Sequence, residues 1–270
     1  MGSERLYRTA AIVIHRRDQG EADRVLTLCT PLGKIVAIAR GVRRVRSRKA
    51  GHLELFVHAQ LSLARSRSSW DVISQAETVA AHTPLRSDLQ RGTYARYVVE
   101  LYDRFVAEGE GGPALFDLLA RTLDYLCQGG GEEILMRAYE QRLLALVGFR
   151  PELERCVGER GQRLCGRVLE PTGSEPFGLD PERGGALCPE CAADSRQQRS
   201  VLPISPPALA FLLACGREPF SVLRQRTATP ALMAEVERAA RHYITYHLER
   251  EVRSGAFLRR LRREEAWPLL

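Results

Sequence analysis

Four of the seven cysteines, Cys156, Cys165, Cys188 and Cys191, fall within 36 residues of a 270-residue chain. Cys188-Pro189-Glu190-Cys191 is a C-x2-C knuckle, whose short turn lets both thiolates face one ion while backbone amides donate to the sulfurs. Cys156 and Cys165 supply a second, wider pair, with eight residues between them. Four thiolates around one ion make a tetrahedral Zn²⁺ site with no place left for a catalytic water, so the chemistry expected is structural. Binding energy of that kind would hold together some fifty Gly- and Pro-rich residues that have little apolar periodicity of their own. The alternatives are four reduced, unliganded thiols, or a redox pair at Cys188 and Cys191, which lacks the surrounding βαβ pattern such a pair needs. No charged-then-apolar leader pattern opens the chain, so disulfides are not the first expectation. Cys29, Cys127 and Cys215 sit in apolar segments and read as core residues.

A second cluster is cationic. Arg40-Gly41-Val42-Arg43-Arg44-Val45-Arg46-Ser47-Arg48-Lys49 holds six basic residues in ten and no acid. The net charge of +7 is carried entirely by residues 1–85, with 14 basic and 7 acidic side chains, and the remainder balances. Nearly all the cations are arginine, whose planar fork suits phosphate. The run follows a strand pattern directly, so it is a strand end plus a loop, with Gly41 and Ser47 leaving it free to mould. Beside a curved sheet such a loop tracks a phosphate backbone, reads little sequence and binds in a salt-dependent way. The plainer reading is a solvated loop.

The elements that would position these groups are legible from periodicity. Tyr7 to His15, Arg24 to Thr30, Lys34 to Arg40, Leu53 to Ala64 and Trp70 to Val79 read as five short strands, with Pro31-Leu32-Gly33 as a turn. That count fits a small barrel of the oligonucleotide-binding (OB) kind, although SH3-like barrels give similar counts. After Pro84 the spacing becomes helical: Tyr94 to Phe105, Leu115 to Leu126 and Ile134 to Val147, broken at Gly109 to Gly112 and at Gly129-Gly130-Gly131. Helices resume near Pro207, and a long one runs from about Pro230 to Arg253. The expected fold is therefore α+β and multidomain: a barrel over 1–82, a helical domain begun over 83–148 and completed over 201–270 with a basic tail, and a four-cysteine insert over 149–200. The helices flanking the insert are expected to pack as one bundle, and the tail from Leu258 to be loosely ordered.

Composition is that of a globular protein, with 44% hydrophobic and 27% charged residues. No apolar run approaches the roughly 20 residues of a membrane span. Phosphate-loop, zinc-protease and serine-hydrolase motifs are absent, and the six histidines show no ligand spacing. Glu21 and Asp23 read as a turn or a local ion pair to Arg24 rather than a catalytic pair. A non-enzyme is expected. Rival classes are a zinc-dependent nucleic-acid hydrolase and a scaffold whose basic loop docks on an acidic protein.

Taken together, these residues resemble the RecO family of bacterial DNA repair and recombination mediators. Gly20-Glu21-Ala22-Asp23-Arg24-Val25-Leu26-Thr27-Leu28, with Thr30 and Gly33-Lys34, looks like the family's first hairpin. Ala39-Arg40-Gly41-Val42-Arg43-Arg44, with Ser47, looks like its basic loop. Gly148-Phe149-Arg150-Pro151-Glu152-Leu153, then Cys156, Cys165-Gly166, Phe177, Gly184-Gly185 and Cys188 to Cys191, looks like its zinc module. The resemblance spans roughly residues 5–250. It implies an N-terminal OB fold, a helical domain with an inserted zinc-finger-like module, one structural Zn²⁺ on Cys156, Cys165, Cys188 and Cys191, and a cytoplasmic, nucleoid-associated protein. It also implies binding to single- and double-stranded DNA, annealing of complementary strands, and loading of RecA with RecR on strands coated by single-stranded DNA-binding protein. Carried over by position, the DNA contacts are Lys34, Arg40, Arg43, Arg44, Arg46, Arg48 and Lys49. The family's first cysteine pair is usually C-x2-C. The eight-residue gap here either loops out or leaves Cys156 outside the site.

Overall fold

The computed structural model describes residues 6–66, 70–161, 163–195, 198 and 200–265. Five strands, β1 (Leu6–Gln19), β2 (Asp23–Thr30), β3 (Gly33–Ala39), β4 (His58–Ala64) and β5 (Asp71–Ala80), close into a barrel in the order β1-β2-β3-β5-β4. β3 and β5 run parallel, and every other pairing is antiparallel. This is an OB fold. Alternation fills its interior with Ala11, Val13, Leu26, Leu28, Ala37, Ala39, Ala59, Leu61, Leu63 and Ile73. Val42, Leu53 and Val57, from the β3–β4 connection, complete that core.

Two of the expected strand limits shift for physical reasons. β1 extends to Gln19, because Arg16, Arg17 and Asp18 pair with β2 although they are polar. The expected strand from Leu53 to Ala64 begins only at His58. Leu53 instead ends a 3₁₀ turn, Ala50–Leu53, and Phe56 takes a left-handed φ of 68° in the tight turn before β4. The apolar residues there are buried barrel contacts rather than strand alternation.

The helices are α1 (Pro84–Ser87), α2 (Leu89–Phe105), α3 (Pro113–Gln128) and α4 (Glu132–Leu146), as spacing predicts apart from the short α1. After the cysteine-rich segment come α6 (Pro206–Arg217), α7 (Phe220–Leu223), α8 (Pro230–Leu248) and α9 (Arg253–Glu265), with α5 (Pro189–Asp194) inside that segment. Asp88, Ser205 and Thr229 cap α2, α6 and α8 through their side-chain oxygens.

The chain divides into two compact units, residues 1–129 with 253–270, and residues 130–252. By contacts the units group the barrel with α2 and α3, whereas the sequence expectation set the barrel apart at residue 82. In the first unit α2 and α3 pack beside the barrel, and α9 packs on α2. In the second, α4 packs on α6, α7 and α8. So α4 does bundle with α6 and α8, whereas α2 and α3 belong with the barrel. The division falls at Gly129-Gly130-Gly131, where three successive φ angles of 75°, 85° and 74° favour glycine and end any helical continuation. The tail from Leu258 is helical through Glu265; its last five residues lie outside those described. The Glu100 carboxylate fixes this helix by accepting from the amides of Arg253 and Ser254 at 3.1 and 2.8 Å.

Candidate functional site: a basic loop and a four-thiol centre

The basic loop leaves the barrel at Arg40 and is anchored at its root. Val42 is 1% exposed in the barrel core. The Gly41 amide donates to the Asp23 carboxylate at 2.7 Å, and the Arg43 amide donates to the Ala22 carbonyl at 2.9 Å. Consecutive turns follow, with the Ser47 amide on the Arg44 carbonyl at 2.9 Å. The loop is thus held as a turned ribbon rather than left free as its Gly41 and Ser47 had suggested. Asp23 supports it; neither a catalytic pair with Glu21 nor the expected partnership with Arg24 is formed, since Arg24 pairs with Asp18 and Glu54.

The seven expected contact residues divide by what they touch. Arg40, Arg44, Arg46 and Arg48 are exposed, and none forms an ion pair or side-chain hydrogen bond among the described residues. Arg43 reaches Asp18 at 3.3 Å and the Gly20 carbonyl at 3.0 Å, bracing the loop against the β1–β2 turn. Lys34 lies away from the loop, at the start of β3. Its ammonium donates to the Asp103 carbonyl at 2.6 Å and pairs with the Asp103 carboxylate at 2.9 Å on α2, with only 12% of its side chain exposed. Lys49 donates to the Ile73 carbonyl on β5 at 2.9 Å. Burial lowers its pKa, and the Asp23 charge opposes that shift. Both lysines therefore build the scaffold, and four arginines form the uncompensated positive surface.

Sequence reasoning missed two aromatic residues of the barrel that carry arginines. Trp70, just before β5, carries the Arg17 guanidinium 5.1 Å from its ring centroid. Arg65 lies 5.3 Å from the Tyr7 ring, whose hydroxyl donates to Asp71 at 2.6 Å. Burial, then the Asp71 carboxylate, raise the Tyr7 pKa, so the ring stays neutral. The available signal was a tryptophan at a loop-to-strand junction with arginines on its N-terminal side.

The four-thiol centre belongs to the second unit. β8 (Phe177–Asp180) pairs with β9 (Gly185–Leu187) and β10 (Leu202–Ile204) in a three-stranded sheet. β9 ends at Leu187, Cys188 takes the N-cap of α5, and Cys191 stands one turn inside it. The other pair is folded by a two-stranded ribbon, β6 (Glu159–Arg160) and β7 (Arg163–Leu164). Bonds from the Cys165 amide to Gly158 at 2.7 Å and from Gly166 to Cys156 at 3.1 Å close it at the base. The extra residues loop out as a hairpin, and Cys156 and Cys165 meet at its foot. Gly158 is required there: a Cβ would sit 2.8 Å from the Cys191 Cβ.

All four sulfurs lie within 4.8 Å of one another, and those of Cys165 and Cys188 are 4.0 Å apart. Metal–sulfur bonds of about 2.3 Å in a tetrahedron require sulfurs about 3.8 Å apart, so the residues fit a four-thiolate metal ion with a small contraction. Amides of Gly158 and Cys188 point at the Cys156 sulfur at 3.4 and 3.2 Å, as a thiolate acceptor needs. Burial would raise the Cys188 thiol, but the Cys191 amide, the neighbouring thiols and Arg160 outweigh it and bring it down to about 7. Burial raises Cys191 to about 12 and also raises Cys156. Outside the sulfurs, Glu190 of the knuckle pairs with Arg160 and with Arg167, the latter at 2.7 Å, and ties the ribbon to α5. Cys29 and Cys215 are buried, as expected, with thiols raised to about 12 by burial.

Among the described residues no helix is long and apolar enough to cross a membrane. Family comparison now adds to this geometry. Residues 3–82 match the model of the recombination protein O N-terminal domain, and residues 86–256 that of its C-terminal domain. The DNA repair protein RecO of Roseiflexus sp. is 40% identical over 94% of this chain and 86% of its own length. That of Pelotomaculum thermopropionicum is 36% identical over 95% of this chain and 94% of its own, and that of Dehalococcoides mccartyi strain CBDB1 34% identical over 95% and 96%. With both domain models matched in order and relatives similar along nearly their whole length, this chain belongs to the RecO family of DNA repair proteins and has a role in recombination repair.

Proposed function

We propose that the chain is a non-enzymatic recombination mediator that binds single- and double-stranded DNA through its OB barrel and anneals complementary strands. The observation that carries this is the turned ribbon bearing Arg40, Arg44, Arg46 and Arg48, exposed and without counter-charges among the described residues. Cations held this way screen phosphate repulsion between two strands, or between a strand and its coating protein, and lower the barrier to pairing without bond chemistry. Arg43 adds a partial contact, while Lys34 and Lys49 act through the support they give. Family membership supports the rest of the assignment: RecR as partner in loading RecA, and single-stranded DNA-binding protein as the coat that is displaced. Four cysteine thiols are placed to hold one metal ion; read as Zn²⁺, it would when bound supply a structural cross-link to residues 149–200. Its thiolate shell argues against a hydrolase.

The test is a fluorescence-anisotropy titration of a generic oligonucleotide against salt. Four phosphate contacts give a slope of about −2.8 in log K against log salt for a single strand, so affinity falls about fiftyfold between 50 and 200 mM. Arg40→Glu, Arg44→Glu and Arg46→Glu together are expected to reduce affinity at least tenfold at about 0.1 M salt. Unchanged binding rejects the loop as the site, and no binding by the native chain at low salt favours a protein scaffold.

A further inference from the structure

Resting on the DNA-binding reading of the barrel, we propose that Trp70 is a stacking platform for one unpaired base, which makes this surface favour single strands over duplex. Trp70 is 36% exposed, so part of its ring is open to a ligand. Its position is fixed from several sides. Asp71, the next residue, pairs with Ala37 of β3 and accepts from the Tyr7 hydroxyl. The Asp71 carboxylate also accepts from the Ser66 amide at 2.9 Å, closing the base of the β4–β5 connection. The ring is thus presented by a braced strand start.

Arg17 supplies the second half of the site. Its guanidinium lies 5.1 Å from the ring centroid, in cation–π range. A base stacking on the open part of the same indole would have the Arg17 charge beside it. Lys49, the last residue of the loop's cationic run, grips the Ile73 carbonyl, three residues beyond Trp70 on the same chain. That is roughly 10 Å at strand rise. On this proposal one short oligonucleotide places phosphates on the ribbon and a base on the ring. Bases inside a duplex have no free face to offer, so this contact is made only by an unpaired strand, whereas the arginines serve both.

The sequence contains two tryptophans, Trp70 and Trp267, the second outside the described residues. In Trp267→Phe, indole fluorescence reports on Trp70 alone. The expected result is quenching on titration with an oligothymidylate, saturating with the anisotropy change, and little change with a blunt duplex of equal length. Trp70→Ala is expected to lose about tenfold in affinity for the single strand and less than twofold for the duplex. Its salt slope should stay parallel to that of the native chain, because stacking releases no counterion. Unchanged fluorescence at saturating single strand overturns the stacking role while leaving DNA binding intact. Equal losses for single strand and duplex in Trp70→Ala reduce the residue to a scaffold part and also overturn it. If Trp267→Phe and the native chain bind neither oligonucleotide at low salt, the underlying reading fails and takes this one with it. Should Trp70→Ala fail to fold, the fluorescence of Trp267→Phe still decides.

Discussion

At the scale of single residues, charge alone did not tell an unpaired surface cation from a structural one. Lys34 and Arg44 both belong to the family-like basic set, yet the Lys34 side chain bonds to Asp103 and the Arg44 side chain forms no ion pair or hydrogen bond among the described residues. Lys34→Ala should cost about 1 kcal/mol in stability, the upper range for a partly exposed pair, and leave the salt slope of DNA binding unchanged. Arg44→Ala should leave the melting temperature unchanged and make the slope shallower by about one contact. Paired thermal melts and salt titrations of the two variants check this; a slope change in Lys34→Ala would return that residue to the contact set. The sequence carried the ribbon as ten consecutive residues, which is why it was legible. The partners of Lys34 and Lys49 lie 69 and 24 residues away. No local pattern reports such contacts. The same holds for Trp70 and Arg17, which meet across a closed barrel from positions 53 apart.

At the scale of elements, strands and helices with strong periodicity were recoverable, and the departures came where tertiary contacts override pattern. Leu53 and Val57 are apolar because they join the barrel core, not because they alternate in a strand. In the cysteine-rich segment the wide first pair was ambiguous on spacing, and the β6–β7 ribbon resolves it by returning the chain to its starting point. Helix α9 offered no clear sign of its docking, because its acceptor, Glu100, is 153 residues away. That carboxyl gives a pH test. Burial pushes its pKa up, but hydrogen bonds from Ser254 and Arg253 and the charge of Arg104 outweigh it and hold it below the ordinary value of 4.5. A depressed carboxylate pKa stabilises above the unfolded value and loses that contribution as pH falls through the folded one. The native chain should therefore exceed Glu100→Gln in stability by a constant margin above about pH 4.5, with the margin shrinking at lower pH. Thermal melts of the two across pH 3 to 7 would show it; a margin that does not narrow on acidification would contradict the capping role.

At the scale of the whole molecule, the two units separate the thiol centre from the basic ribbon, and the tasks should separate too. Removing the metal with a strong chelator is expected to expose the amides of residues 149–200 to hydrogen exchange. Amides of the barrel strands should keep their protection, and DNA affinity should change less than twofold. The complementary variant, Cys188→Ser, should lower metal content well below one ion per chain. Loss of barrel protection on chelation would show that the units depend on each other. The sequence disclosed that barrel, helices and insert exist, but not that α2 and α3 side with the barrel, since membership of a unit is decided by which apolar faces meet. The return of α9 to the first unit has a consequence for how the protein is made. Tyr97 and Leu101 of α2 are buried in the finished unit, and Gly255 brings the last helix close against the Tyr97 ring. While the ribosome is still reading the middle of the message, that side of α2 has no cover from the chain's own end. The first unit can therefore complete its packing only once α9 has been made.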